Sequence, residues 1–91
     1  MGPTEVKCIR EVFGLTQRDL AKALNVAPYT VARWESGGTS PAGLQGEVLR
    51  ALYNTAVETR RKKDDEAAKA IGGLVALGIG ALIFYLLTKE S

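Results

Sequence analysis

Residues 15–37 read "LTQRDLAKALNVAPYTVARWESG". Thr16 with Asp19 three residues on is a capping signal, so a helix is expected over about 17–24. Leu20, Ala21 and Leu24 then share its inner face. Asn25-Val26-Ala27 is a short turn, and Pro28 stands where a first helical turn tolerates proline. A further helix follows over about 28–35 with Val31 and Trp34 inward, and Ser36-Gly37-Gly38 stops it.

On the N-terminal side, Thr4 can cap a helix that follows Pro3 and runs to about Phe13. Val6, Ile9, Val12 and Phe13 recur on one face, and Gly14 ends the segment. On the C-terminal side, Pro41 opens another helical stretch, striped by Leu44, Val48, Leu49 and Leu52. Residues 1–55 therefore read as a small all-α bundle of four to five helices.

The 15–37 stretch resembles the helix-turn-helix of the Cro and phage-repressor family, over roughly residues 6–53. Leu15, Thr16-Gln17, Leu20-Ala21, Leu24, Val26, Thr30-Val31, Trp34-Glu35 and Gly37 stand at that family's spacing. The resemblance implies a phosphate contact for Gln17. It also implies a structural ion pair between Arg10 of the first helix and Glu35 at the end of the third. The third helix would present its N-terminal residues to the major groove, with Tyr29, Thr30 and Arg33 as candidate DNA contacts. Of these, Arg33 alone suits bidentate reading of guanine. Two features depart from the family pattern: Ala27 and Pro28 offer no side-chain donor or acceptor, and "GGTSP" after the third helix carries no basic residue.

Charge and composition narrow the function classes. The net charge is +2, with six basic against five acidic side chains over residues 1–55. That surplus is thin for a chain that binds phosphate backbones. The single cysteine, Cys8, cannot form an internal disulfide and is expected as an inert buried thiol. There is no histidine. No metal-ligand cluster and no nucleophile–base pair suggests itself, so neither enzyme activity nor a cofactor is expected. The N-terminal residues lack the apolar core of a signal peptide.

Residues 70–87, "AIGGLVALGIGALIFYLL", hold eighteen residues without charge, amide or proline. As one helix they would span about 27 Å, against about 30 Å for a hydrocarbon core. This predicts a single-pass C-terminal transmembrane helix over 70–88. Lys69, Tyr85 and Lys89 would be its interface anchors. Arg60, Arg61, Lys62, Lys63 and Lys69 precede the run and only Lys89 follows, which would keep the N-terminal head in the bacterial cytoplasm beneath the inner membrane. Gly72, Gly73, Ala76 and Gly80 would form a small-residue face for packing against other helices.

The expected organisation is a cytoplasmic helix-turn-helix domain over 1–55, a charged connector over 56–69, the transmembrane helix over 70–88 and a short tail over 89–91. Two functions fit. The depleted reading face, the near-neutral head and the glycine stripe favour an accessory subunit of a membrane complex, with lipid and partner transmembrane helices around the span and the head as a docking module. The alternative is a membrane-tethered DNA-binding transcription regulator, or a soluble dimeric repressor; a homodimer is compatible with either.

Overall fold

The computed structural model describes residues 1–88, which form six helices and no strand: α1 (Pro3–Phe13), α2 (Gln17–Leu24), α3 (Pro28–Ser36), α4 (Gly43–Lys62), α5 (Asp65–Val75) and α6 (Ile79–Thr88). Lys89 and the tail over 89–91 lie outside the described residues. The radius of gyration is 12.0 Å, close to the ~12 Å expected of one compact domain of this length.

Local chemistry sets the first three helices. The cap of α1 lies at Gly2 rather than Thr4: the Glu5 carboxylate accepts from the Gly2 N–H at 3.0 Å, and Pro3 fills the first helical position. At α2, the Asp19 N–H donates to Thr16 Oγ1 at 3.0 Å and the Thr16 N–H donates to Asp19 Oδ2 at 2.9 Å. Two otherwise orphaned backbone donors are thereby satisfied. These bonds also hold the Asp19 carboxyl below its usual pKa range. Ala27 heads α3 without a side-chain cap. Gln45 of α4 donates to the Leu24 carbonyl at 3.3 Å, closing the C-terminal end of α2 from a distant element.

Val6, Ile9 and Phe13 of α1 meet Leu20, Ala21 and Leu24 of α2, Val31 and Trp34 of α3, and Val48, Leu49 and Leu52 of α4 in one core. α1 packs on both α3 and α4, while α2 and α3 pack on each other. Leu44 departs from its expected stripe: it lies in the first turn of α4 and is 51% exposed. Cys8 is half-buried and free.

The larger differences begin at residue 56. Residues 56–69, expected as a charged connector, are mostly helical. α4 runs on to Lys62, with Ala56 fully buried and Thr55 and Thr59 buried beside it. Lys63 then turns in the left-handed conformation (φ 53°), and the Asp64 side chain caps α5 by accepting from the Ala67 N–H at 3.0 Å.

The expected transmembrane helix over 70–88 is not formed, and among the described residues no helix is long and apolar enough to cross a membrane. The run breaks into a hairpin. The Leu77 and Gly78 N–H groups bond back to Leu74 and Val75, and Gly78 adopts φ 97°, open to glycine at little cost. α6 then folds back on α5 and α4. The physical reason is burial against the head: Ile71, Val75 and Leu82 are at most 3% exposed and join the core built by α1–α4. These side chains find protein where the run, taken alone, would need lipid.

The small-residue face is correspondingly divided. Gly72 packs against the end of α1, where an added Cβ would sit 2.7 Å from the Phe13 carbonyl oxygen. An added Cβ at Gly73 or Gly80 would meet nothing within 4 Å, and Ala76 is exposed at the end of α5. With the turn between them, Gly72, Gly73, Ala76 and Gly80 no longer line one helix. Two of the expected interface anchors, Lys69 and Tyr85, lie among the described residues. Lys69 rims an open groove with Lys22 and Asp19, whereas Tyr85 is half-buried and lines a cleft with Thr55, Thr59 and Ile71.

Candidate nucleic-acid interface

The outer face of α3 is set by what its inner face buries. Val31, Trp34 and Glu35 turn inward. At helical spacing this leaves Tyr29, Thr30 and Arg33 together on the outside. Tyr29 is 67% exposed and Thr30 and Arg33 are half-exposed. Arg33 is held in place rather than loose. Its Nη1 donates to the Tyr29 hydroxyl at 3.1 Å, its Nη2 reaches the Gly38 carbonyl at 3.4 Å, and its guanidinium sits 5.7 Å from the Tyr29 ring centroid. Such an arrangement combines a hydrogen bond with a cation–π contact. The tyrosine hydroxyl accepts from Arg33 and keeps its own proton to donate outward. Tyr29 and Arg33 thus form one unit, a coupling hidden in the sequence although i,i+4 spacing allows it.

Behind this face, the structure brings Arg10, Gln17 and Glu35 together. Arg10 grips the Glu35 carboxylate with both Nε and Nη2, the latter at 2.6 Å, and its Nη1 donates to the Leu15 carbonyl at 3.2 Å. The Glu35 side chain is 3% exposed and that of Arg10 is 21%. Gln17 Nε2 donates to Glu35 Oε1 at 3.2 Å. One amide N–H of Gln17 is therefore committed to the pair, leaving its second N–H as the donor available to a phosphate. Three helices are tied at one point: α1 through Arg10, α2 through Gln17 and α3 through Glu35. Arg18, exposed in the same turn of α2 as Gln17, is a basic residue that the family spacing did not single out.

Burial works to raise the Glu35 pKa. Hydrogen bonds from Arg10 and Gln17, with the charges of Arg10 and Lys7, outweigh it and hold the carboxyl below its ordinary value of 4.5. The hydrogen bond to Glu35 in turn raises the Arg10 pKa, against the opposing effect of its own burial. A carboxyl depressed on folding contributes stability that is fully present above pH 4.5 and is lost as pH falls through the lower, folded value. Glu35→Gln should be less stable than the parent at pH 7, and the gap should close as the pH is lowered below 4.5. Urea midpoints taken from pH 7 down to about pH 2.5 test this, since the linkage acts below the ordinary carboxyl pKa. A gap that stays constant with pH would remove Glu35 from the acid response.

The helix-turn-helix family matches residues 7–45. This is the segment that carries the Arg10–Gln17–Glu35 tie and the Tyr29–Thr30–Arg33 face. No curated protein and no solved structure matches the chain. Among the described residues no group of His, Cys, Asp and Glu is placed to hold a metal ion.

Proposed function

We propose that the protein is a DNA-binding regulator that lays α3 in the major groove. The observation that carries this reading is the exposed Tyr29–Thr30–Arg33 face, held by Arg33's bonds to Tyr29 and Gly38 inside the segment that matches the helix-turn-helix family. α2 braces α3 from behind, and Gln17 at its start stands ready for a phosphate. Arg33 supplies the forked donor suited to guanine O6 and N7. Tyr29 and Thr30 add one hydroxyl each. The accessory-subunit reading drew on the depleted reading face, the near-neutral head and a glycine stripe along a helix over 70–88; that helix and its continuous stripe are not formed, which favours the regulator.

The test is selection of duplexes from a random pool by the full chain, followed by fluorescence anisotropy on the enriched sequence. Arg33→Ala should remove about 1–3 kcal/mol of discrimination at one base position. Gln17→Ala should weaken all sequences alike, as expected of a phosphate contact. Failure to enrich any sequence, or an enriched site that Arg33→Ala binds as well as the parent does, would overturn the proposal.

A further inference from the structure

We infer that the outer stripe of α6 is a homotypic docking surface on which a second copy of this chain pairs in antiparallel fashion. α6 reads "IGALIFYLLT", apolar on every side. A helix of that kind is stable in water only when covered all round. In the single chain it is covered on one side: Leu82 is fully buried, while Gly80, Phe84 and Leu87 are exposed. These three stand at i, i+4 and i+7, one line along the helix. Leu77, in the turn just before α6, is exposed as well.

The area fits a second copy. Leu77, Phe84 and Leu87 are 73%, 70% and 76% exposed. Together they present on the order of 400 Å² of apolar surface, at the size where a patch on a monomer marks an interaction site. Two such faces in contact remove roughly 800 Å², and the exposed small residues Gly80 and Ala76 with half-buried Ile83 carry the total toward the ~1,200 Å² low end of specific interfaces. The shape fits too. A two-fold pair must be self-complementary. The stripe holds a hole at Gly80, where an added Cβ meets nothing within 4 Å, and a large ring one turn on at Phe84. Antiparallel crossing near Leu82 sets Phe84 of each copy over Gly80 of the other. Among the described residues no charged side chain lies on the stripe to oppose the approach.

The pairing goes beyond the DNA reading and is measured without DNA, so the two fail separately. The experiment is the mass of the full chain in detergent-free buffer by sedimentation over a concentration series. Phe84→Asp, Leu87→Asp and Gly80→Leu are run beside it, with far-UV circular dichroism on each to confirm retained helix. A dimer is expected for the parent. Each variant should weaken it by more than ~30-fold, as for a residue at the centre of an interface. Gly80→Leu decides between interlock and mere stickiness, because it adds apolar surface yet fills the hole. A parent that is monomeric throughout, a dimer that survives Phe84→Asp and Leu87→Asp, or a dimer that Gly80→Leu tightens each overturns the proposal. So does a monomer that floats with phosphatidylcholine vesicles and loses that property in Phe84→Asp, which assigns the stripe to lipid.

Discussion

Arg10→Ala is expected to lower stability by about 3–5 kcal/mol, the cost of stranding one partner of a buried pair. A domain of this length has roughly 5–14 kcal/mol in total, so the loss is a large fraction of the whole. The magnitude follows from geometry. Glu35 is 3% exposed in its side chain, Arg10 grips both of its oxygens, and Gln17 adds a third bond. Removing Arg10 leaves a carboxylate with a single amide donor in a site that water scarcely reaches. It also frees the Leu15 carbonyl, to which Arg10 Nη1 donates. The measurement is denaturant unfolding of the parent, Arg10→Ala, Glu35→Ala and the double variant. The two single losses should exceed half of the double loss each, since both report one interaction. Arg10→Met with Glu35→Leu should recover most of the stability, because a buried pair replaced by apolar side chains is often neutral. Losses for Arg10→Ala below about 1 kcal/mol, the range of exposed pairs, would falsify this account.

The first half of the fold was legible because its signals are local. Thr16 and Asp19 cap α2 with bonds that span three residues, and Pro28 and Gly37 bound α3. The inward residues Leu20, Leu24, Val31 and Trp34 follow helical spacing and are buried. What the local signals left out was supplied from afar. Gln45 closes the end of α2 from α4, and Glu5 reaches back to Gly2 and so moves the start of α1 past Thr4. On the candidate site, the positions of Tyr29, Thr30 and Arg33 on one face follow from periodicity. That Arg33 leans on Tyr29 and on the Gly38 carbonyl depends on the path of the turn after α3, which spacing does not specify.

The second half was misread for a definable reason. A run of eighteen residues without charge has the length of a membrane span, and hydropathy cannot distinguish lipid from a neighbouring protein surface. Two features carry the distinction. Gly78 reads as one more small residue in an apolar run, but at φ 97° it turns the chain back. The basic cluster Arg60–Lys63 reads as the flank of a span, but Arg60, Arg61 and Lys62 form the last turn of α4, where cations suit the negative end of the helix dipole. The same run still leaves a mark on the folded chain, since α6 keeps an apolar outer stripe.

Gly72 is the residue on which the docking of α5 turns, and Gly72→Leu is expected to cost at least about 3 kcal/mol, at the upper end for overpacking. A Cβ there would stand 2.7 Å from the Phe13 carbonyl oxygen, a backbone atom at the end of α1 that cannot rotate aside. α5 must then lift from the head. Ile71 and Val75 leave the core with it, and each aliphatic side chain so exposed forfeits about 1.5–3 kcal/mol. Gly73, one residue on, is the control. Its added Cβ meets open space, so Gly73→Ala should gain about 0.5–1 kcal/mol through helix propensity alone. The pair of variants separates the two readings of the small residues. A generic glycine face would treat Gly72 and Gly73 alike; a hairpin seated on Phe13 makes one substitution costly and the other favourable. Equilibrium unfolding gives the sign of each, and amide hydrogen exchange in α5 should rise in Gly72→Leu while exchange in α2 and α3 changes less. Equal and small effects at both positions would mean that α5 does not rest against α1 through Gly72.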